Sequence, residues 1–145
     1  MIKNKLIDTI LENMDIIKEI YQEYEGRPEG RRRSADVILL QSHGSGEPVD
    51  YLAIIESVHH YLDEGIKTLP VSLYMILKKK FIDDCTLEEI SYSLHYRNTQ
   101  LVFNRVTKIR NHFRGYFEKA QLEVWEWTWL MEQIFKKQEN KKPRY

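Results

Sequence analysis

One cysteine, Cys85, stands in the 145 residues, so no internal disulfide can staple this chain. No uninterrupted apolar run approaches the roughly 20 residues that a membrane-spanning helix requires. Neither sign of charge prevails, since 22 Lys and Arg stand against 22 Asp and Glu. Net charge therefore says little about partners, and the local fields decide which partner a face attracts. One absence is more telling than these. Between Ile90 and Phe117 there is no acidic residue, although Arg97, Arg105, Lys108, Arg110 and Arg114 all fall in that window.

What is present suits a folded protein. The composition is 42% hydrophobic and 30% charged, which argues against wholesale disorder. The length allows one domain with a real core, or two small helical modules joined by a linker. The opening segment MIKNKLIDTILENMDIIKEI mixes charged and apolar residues throughout, unlike a signal peptide. With the lone cysteine, this leads to the expectation of a cytoplasmic protein that neither spans nor binds a membrane.

Charge comes in blocks. The first helical segment is acidic at Asp8, Glu12, Asp15, Glu19, Glu23 and Glu25. Arg27, Arg31, Arg32 and Arg33 follow abruptly, and the tail carries Lys136, Lys137, Lys141, Lys142 and Arg144.

Hydrophobic spacing reads as helix almost throughout. Ile7, Ile10, Met14, Ile17, Tyr21 and Tyr24 alternate steps of three and four, which predicts one helix over residues 3–24. Its heptad-like stripe suits either the chain's own core or a homodimer interface. Residues 26–48, rich in glycine and proline, read as a flexible segment. Within it, SADVILLQ (34–41) is too short for periodicity to separate helix from strand. A further helix is expected over 49–63, burying Tyr51, Ile55, Val58 and Leu62, with Gly65 as its cap. After Leu69 and Pro70 another carries Leu73, Tyr74, Leu77 and Phe81, with Lys78, Lys79 and Lys80 at its C-terminal end. A terminal amphipathic helix over 116–137 holds Trp125, Trp127 and Trp129. Alternate positions cannot share one helical face, so at least one tryptophan is expected to be partly exposed or to lie at an interface, where a partner such as RNA polymerase could dock.

The stretch TLEEISYSLHYRNTQLVFNRVTKIR, residues 86–110, carries the most information. Thr86 and Glu89 form the capping-box pattern that opens a helix, and Leu87, Ile90 and Leu94 supply its buried stripe. A polar break at Arg97 and Asn98 precedes a second helix burying Val102, Val106 and Ile109. With Asn98 as N-cap, the first turns present Thr99, Gln100, Phe103 and Asn104. Residues at the start of such a helix are the ones that reach base edges. Gln100 and Asn104 have the donor and acceptor needed for adenine, and Phe103 suits a thymine methyl, unless a one-residue slip places it in the core. Arg97, Arg105, Lys108, Arg110 and Arg114 suit phosphate contacts, which position the helix without reading sequence. A solvated basic face on a helical bundle that binds nothing is the plainer alternative.

Residues 69–114 resemble region 4 of a sigma-70-type factor. The likeness lies in the Leu-Pro opening, the Leu-to-Phe ridge, the Thr-Leu-Glu-Glu-Ile-Ser helix and the basic helix after it. A small chain carrying this module is similar to the RinA/ArpU-type phage late-gene transcriptional activators. The chain departs from that pattern at His95-Tyr96, where the turn normally has a Gly-apolar pair, and its turn is one residue longer. The resemblance implies double-stranded DNA as partner, and possible contact with RNA polymerase.

Other chemistry finds little support. His59 and His60 are adjacent and point to different sides of a helix, and His43, Cys85, His95 and His112 lack metal-ligand spacing. Cys85 has no nucleophile-activating constellation, and GSGEP lacks the Lys and Ser/Thr of a phosphate-binding loop. The expectation is no enzyme, no cofactor and no metal.

The sequence thus predicts an all-α helical bundle with a C-terminal helix-turn-helix and a long terminal amphipathic helix. Its three parts are an N-terminal region at 1–66, a DNA-binding domain at 67–115 and a final helix with basic tail at 116–145. A sequence-specific DNA-binding transcriptional regulator, in its narrower form a phage or prophage late-gene activator that binds promoter DNA through its helix-turn-helix, is the leading expectation. A DNA-binding assembly protein such as a small terminase subunit, and a helical interaction module without DNA binding, are the alternatives.

Overall fold

Spacing by threes and fours yields helix wherever the chain is described. The computed structural model describes residues 2–26 and 50–141. Among these residues there are seven α-helices and no strand: α1 (Asn4–Glu12), α2 (Met14–Glu25), α3 (Tyr51–Thr68), α4 (Val71–Leu77), α5 (Leu87–Ser93), α6 (Thr99–Lys119) and α7 (Val124–Lys141). No described helix is long and apolar enough to cross a membrane. The segments SADVILLQ and HGSGEP, the arginines at 27 and 31–33, His43 and the last four residues lie outside the described residues.

The described chain divides into two compact units, one of residues 2–14 and 60–121, the other of 15–26, 50–59 and 122–141. These boundaries differ from the expected ones at 66/67 and 115/116. In the first unit, α1 packs against both α6 and the end of α4, which joins residues far apart in sequence. In both units the apolar stripes are internal.

The first unit buries Ile7, Ile10, Leu11, Leu62, Leu69, Ile76, Leu77, Phe81, Ile90, Val102, Val106, Ile109, Phe113 and Phe117. Each large apolar side chain so removed from water contributes about 1.5–3 kcal/mol. The five on α6 follow steps of four, three, four and four, so one stripe runs the whole length of that helix. The helix α4 widens at its end into a π-turn over Lys78–Ile82, in which the Asp83 N–H donates to the Lys78 carbonyl, five residues back, at 2.9 Å. Asp84 follows in a left-handed conformation, φ 54°.

The second unit is built on an aromatic cluster. Tyr51 and Trp129 stack with ring centroids 4.4 Å apart, and Tyr24 meets both edge-on at 6.2 and 5.7 Å. Ile16, Ile17, Ile20, Ile54, Ile55, Val58, Trp127, Leu130 and Ile134 complete its core. On its surface Lys137 pairs with Glu23, and Lys141 lies 2.9 Å from Glu19. Exposed pairs of this kind add little to stability.

Three local expectations change, and a fourth holds. The helix expected over 3–24 breaks at Asn13 (φ −127°), whose side-chain amide donates to the Thr9 carbonyl at 2.7 Å, competing with the helical ladder. The third helix runs on to Thr68, so Gly65 does not cap it but lies within it. The final helix begins at Val124 rather than 116, because α6 continues to Lys119 and Gln121 then turns left-handed at φ 53°. The expectation that at least one tryptophan stays partly exposed holds: Trp127 and Trp129 are buried, while Trp125 is half-exposed, with its indole N–H donating to Glu123 at 2.7 Å.

The N-terminal stripe also resolves by residue. Ile7, Ile10 and Ile17 are fully buried within the chain. That leaves them no surface for a homodimer interface.

Candidate nucleic-acid interface

The helix α5 opens with a complete capping box. The Thr86 hydroxyl accepts from the Glu89 N–H at 3.1 Å, and the Glu89 carboxylate accepts from the Thr86 N–H at 3.1 Å. Those hydrogen bonds, the one from the backbone foremost, hold the Glu89 carboxyl below the usual carboxylate range. Ile90 is fully buried, while Leu87 and Leu94 are half-buried.

The exit from α5 is where His95 acquires a reason. Its φ of 61° lies in the left-handed region. The Tyr96 N–H donates to the Ser91 carbonyl at 2.9 Å, and the His95 N–H to the Tyr92 carbonyl at 3.4 Å. This six-to-one and five-to-two pair closes a Schellman-type helix end, the place where glycine usually stands. Buried Ser91 then ties the turn a second time, its hydroxyl donating to the Tyr96 carbonyl at 3.2 Å. A histidine thus does a glycine's conformational work, and the chain emerges ready to start α6.

Asn98 caps α6, as the sequence predicts. Its side-chain oxygen accepts from the Leu101 N–H at 3.0 Å, with Asn98 itself extended. Val102, Val106 and Ile109 face the core, which fixes the register of the helix. Thr99, Gln100 and Asn104 are consequently exposed, and Phe103 is 47% exposed rather than part of the core. Gln100, Asn104, Thr107 and Asn111 share the side opposite the buried stripe. The Gln100 amide donates to the Asn104 side-chain oxygen at 3.0 Å.

The cations of this window separate into two sets. Arg97 and Lys108 are exposed and Arg105 is half-buried; none of the three has a carboxylate within ion-pair distance among the described residues. Arg110 and Arg114 are used differently. Arg110 holds Asp8 through two parallel bonds, Nε to Oδ1 and Nη2 to Oδ2, each 2.8 Å, with both side chains largely buried. Arg114 donates to the Ile2 carbonyl at 2.8 Å and also contacts Asn4 and Asn111. These two arginines, expected from the sequence to meet phosphates, bind α1 and its leading residues to α6 instead. Glu12, beside Asp8, is pushed above the usual carboxylate range by burial and then by the Asp8 charge.

The far half of α6 is also locked against α3. A Cβ on Gly65 would lie 2.6 and 2.8 Å from two ring carbons of Phe113, so only glycine allows this approach. Beside it, the His112 Nε2–H donates to the Gly65 carbonyl at 2.8 Å, and the Tyr116 hydroxyl lies 2.8 Å from that of Thr68. Sequence reasoning read Gly65 as a helix cap and assigned Thr68, Phe113 and Tyr116 no role. A glycine inside an otherwise amphipathic stretch is the one local signal of such a close approach. The Asp8–Arg110 pair, 102 residues apart, leaves no local signal.

Among the described residues no three His, Cys, Asp or Glu side chains converge as metal ligands would. What the surface offers is cations, amides and one exposed ring on the first three turns of a rigidly held helix. Comparison with protein-family models, curated proteins and solved structures found no match for this chain.

Proposed function

We propose that the chain is a sequence-specific, DNA-binding transcriptional regulator, with α5 and α6 acting as a helix-turn-helix. The observation that carries this reading is the leading part of α6. An acid-free stretch presents Arg97, Arg105 and Lys108 without ion-pair partners among the described residues, beside exposed Gln100, Phe103 and Asn104. A merely solvated face has no need to exclude carboxylates over this length, whereas a polyanionic partner does.

In this reading α6 lies in the major groove. Thr99, Gln100, Phe103 and Asn104 meet base edges, while Arg97, Arg105 and Lys108 neutralise phosphates. Arg110 and Arg114 leave the phosphate set and become anchors, because their hydrogen bonds are spent on Asp8, Ile2 and Asn4. The likeness of residues 69–114 to sigma region 4 supports the narrower role of a phage or prophage late-gene activator. Contact with RNA polymerase belongs to that narrower role, and exposed Val71, Tyr74, Met75 and Ile82 on one side of α4 and its π-turn suit a protein partner. The buried tryptophans of α7 do not supply that surface.

The test is recovery of bound fragments from sheared bacterial or prophage DNA at moderate salt. Enrichment of promoter-proximal fragments is the expected result. No enrichment would remove the proposal.

A further inference from the structure

The Gln100–Asn104 hydrogen bond says more about the DNA target than either residue alone. Both side chains are exposed and one helical turn apart, on the side of α6 opposite its core. Gln100 Nε2 donates to Asn104 Oδ1 at 3.0 Å, which orients both amides. A primary amide has two N–H donors on nitrogen and two lone pairs on oxygen. Gln100 therefore keeps its oxygen and one N–H for an outside partner. Asn104 has its oxygen turned toward Gln100, with one lone pair engaged there, and keeps its two N–H donors.

We infer that the two amides read adjacent base pairs as a single dyad, an inference that rests on the DNA-binding reading above. In the major groove adenine offers a donor at N6 beside an acceptor at N7, and that complements what Gln100 retains. Asn104, with both donors free and its oxygen held toward Gln100, is matched best by an edge that only accepts: O4 of thymine, or O6 and N7 of guanine. The dyad thus selects an adenine next to a thymine or guanine, and disfavours two successive adenines. Each residue considered by itself would suit adenine equally well; the hydrogen bond between them makes their preferences differ. Phe103, 47% exposed one residue before Asn104, suits the methyl group of a thymine at the second position.

Asn104 acts on the first position only through Gln100, so coupling is the discriminating readout. The wild-type chain selects its preferred site from a pool of randomised duplexes, and anisotropy then compares that duplex with its single-base variants. Gln100→Ala, Asn104→Ala and the double variant are measured on the same set, with circular dichroism confirming that these exposed helical positions tolerate alanine.

The expected result is that each single variant relaxes preference at both positions and weakens binding about tenfold. The double variant should then be hardly weaker than either single, because removing one member already disorders the other. Relaxation confined to one position per variant, with losses multiplying to about a hundredfold, would overturn the dyad while leaving DNA binding intact. Absence of any salt-sensitive duplex binding by the wild type would overturn the dyad together with the function on which it rests.

Discussion

The leading and trailing halves of α6 carry cations of the same sign but differ in what surrounds them. In the leading half, with the turn before it, Arg97 and Lys108 are exposed and Arg105 is half-buried, all three without ion-pair partners among the described residues. In the trailing half Arg110 grips Asp8, Arg114 holds Ile2 and Asn4, and Phe113 presses on Gly65. One helix therefore serves as an anchor at one end and a presented surface at the other. Rigidity of the anchored end has a physical use, since a base-reading side chain must be held close to its productive geometry by elements that do not move.

This contrast can be broken most severely at Gly65. Gly65→Ala drives a methyl group into the Phe113 ring, and the expected loss is about 3 kcal/mol, read from urea unfolding. A change below about 0.5 kcal/mol would mean that the α3–α6 contact yields easily. Next in size is Arg110→Ala, which strands the largely buried Asp8 carboxylate; the expected loss is about 2 kcal/mol. Lys108→Ala should leave stability within about 0.5 kcal/mol of wild type, as for an ordinary surface residue. Equal losses for Arg110→Ala and Lys108→Ala would erase the distinction between the halves. A modest effect of the opposite sign lies at the joint that launches the helix. His95→Gly relieves a side chain from the left-handed region and is expected to stabilise the chain by about 1 kcal/mol, seen as a higher thermal midpoint.

Much of this was legible in the sequence because it depended on neighbours. Thr86 with Glu89, Asn98 at the start of α6, and the spacing of Val102, Val106 and Ile109 are local patterns, and the structure reproduces each one. The all-helical architecture follows from the same periodicity. What escaped depended on distant or competing partners. No spacing rule joins Asp8 to Arg110, so two anchoring arginines looked the same as the three cations without ion-pair partners among the described residues. Asn13 looked like one more polar residue in a continuous helix until its side chain took a backbone carbonyl. His95 looked like a departure from the turn pattern, yet it occupies the left-handed position by itself, with Ser91 and Tyr96 closing the turn around it. Gly65 was read as a helix end because glycine so often marks one, whereas here the missing side chain makes room for a ring.

The salt dependence of duplex binding tests the central claim most directly. For a chain that neutralises phosphates, the logarithm of affinity falls linearly with the logarithm of salt, by about 0.9 per contact. The account predicts that Arg97→Ala, Arg105→Ala and Lys108→Ala each lower that slope by about one unit. Arg114→Ala, on the trailing half, should leave it unchanged. No measurable duplex binding, or a slope that falls with Arg114 and not with Arg97, Arg105 or Lys108, would contradict it.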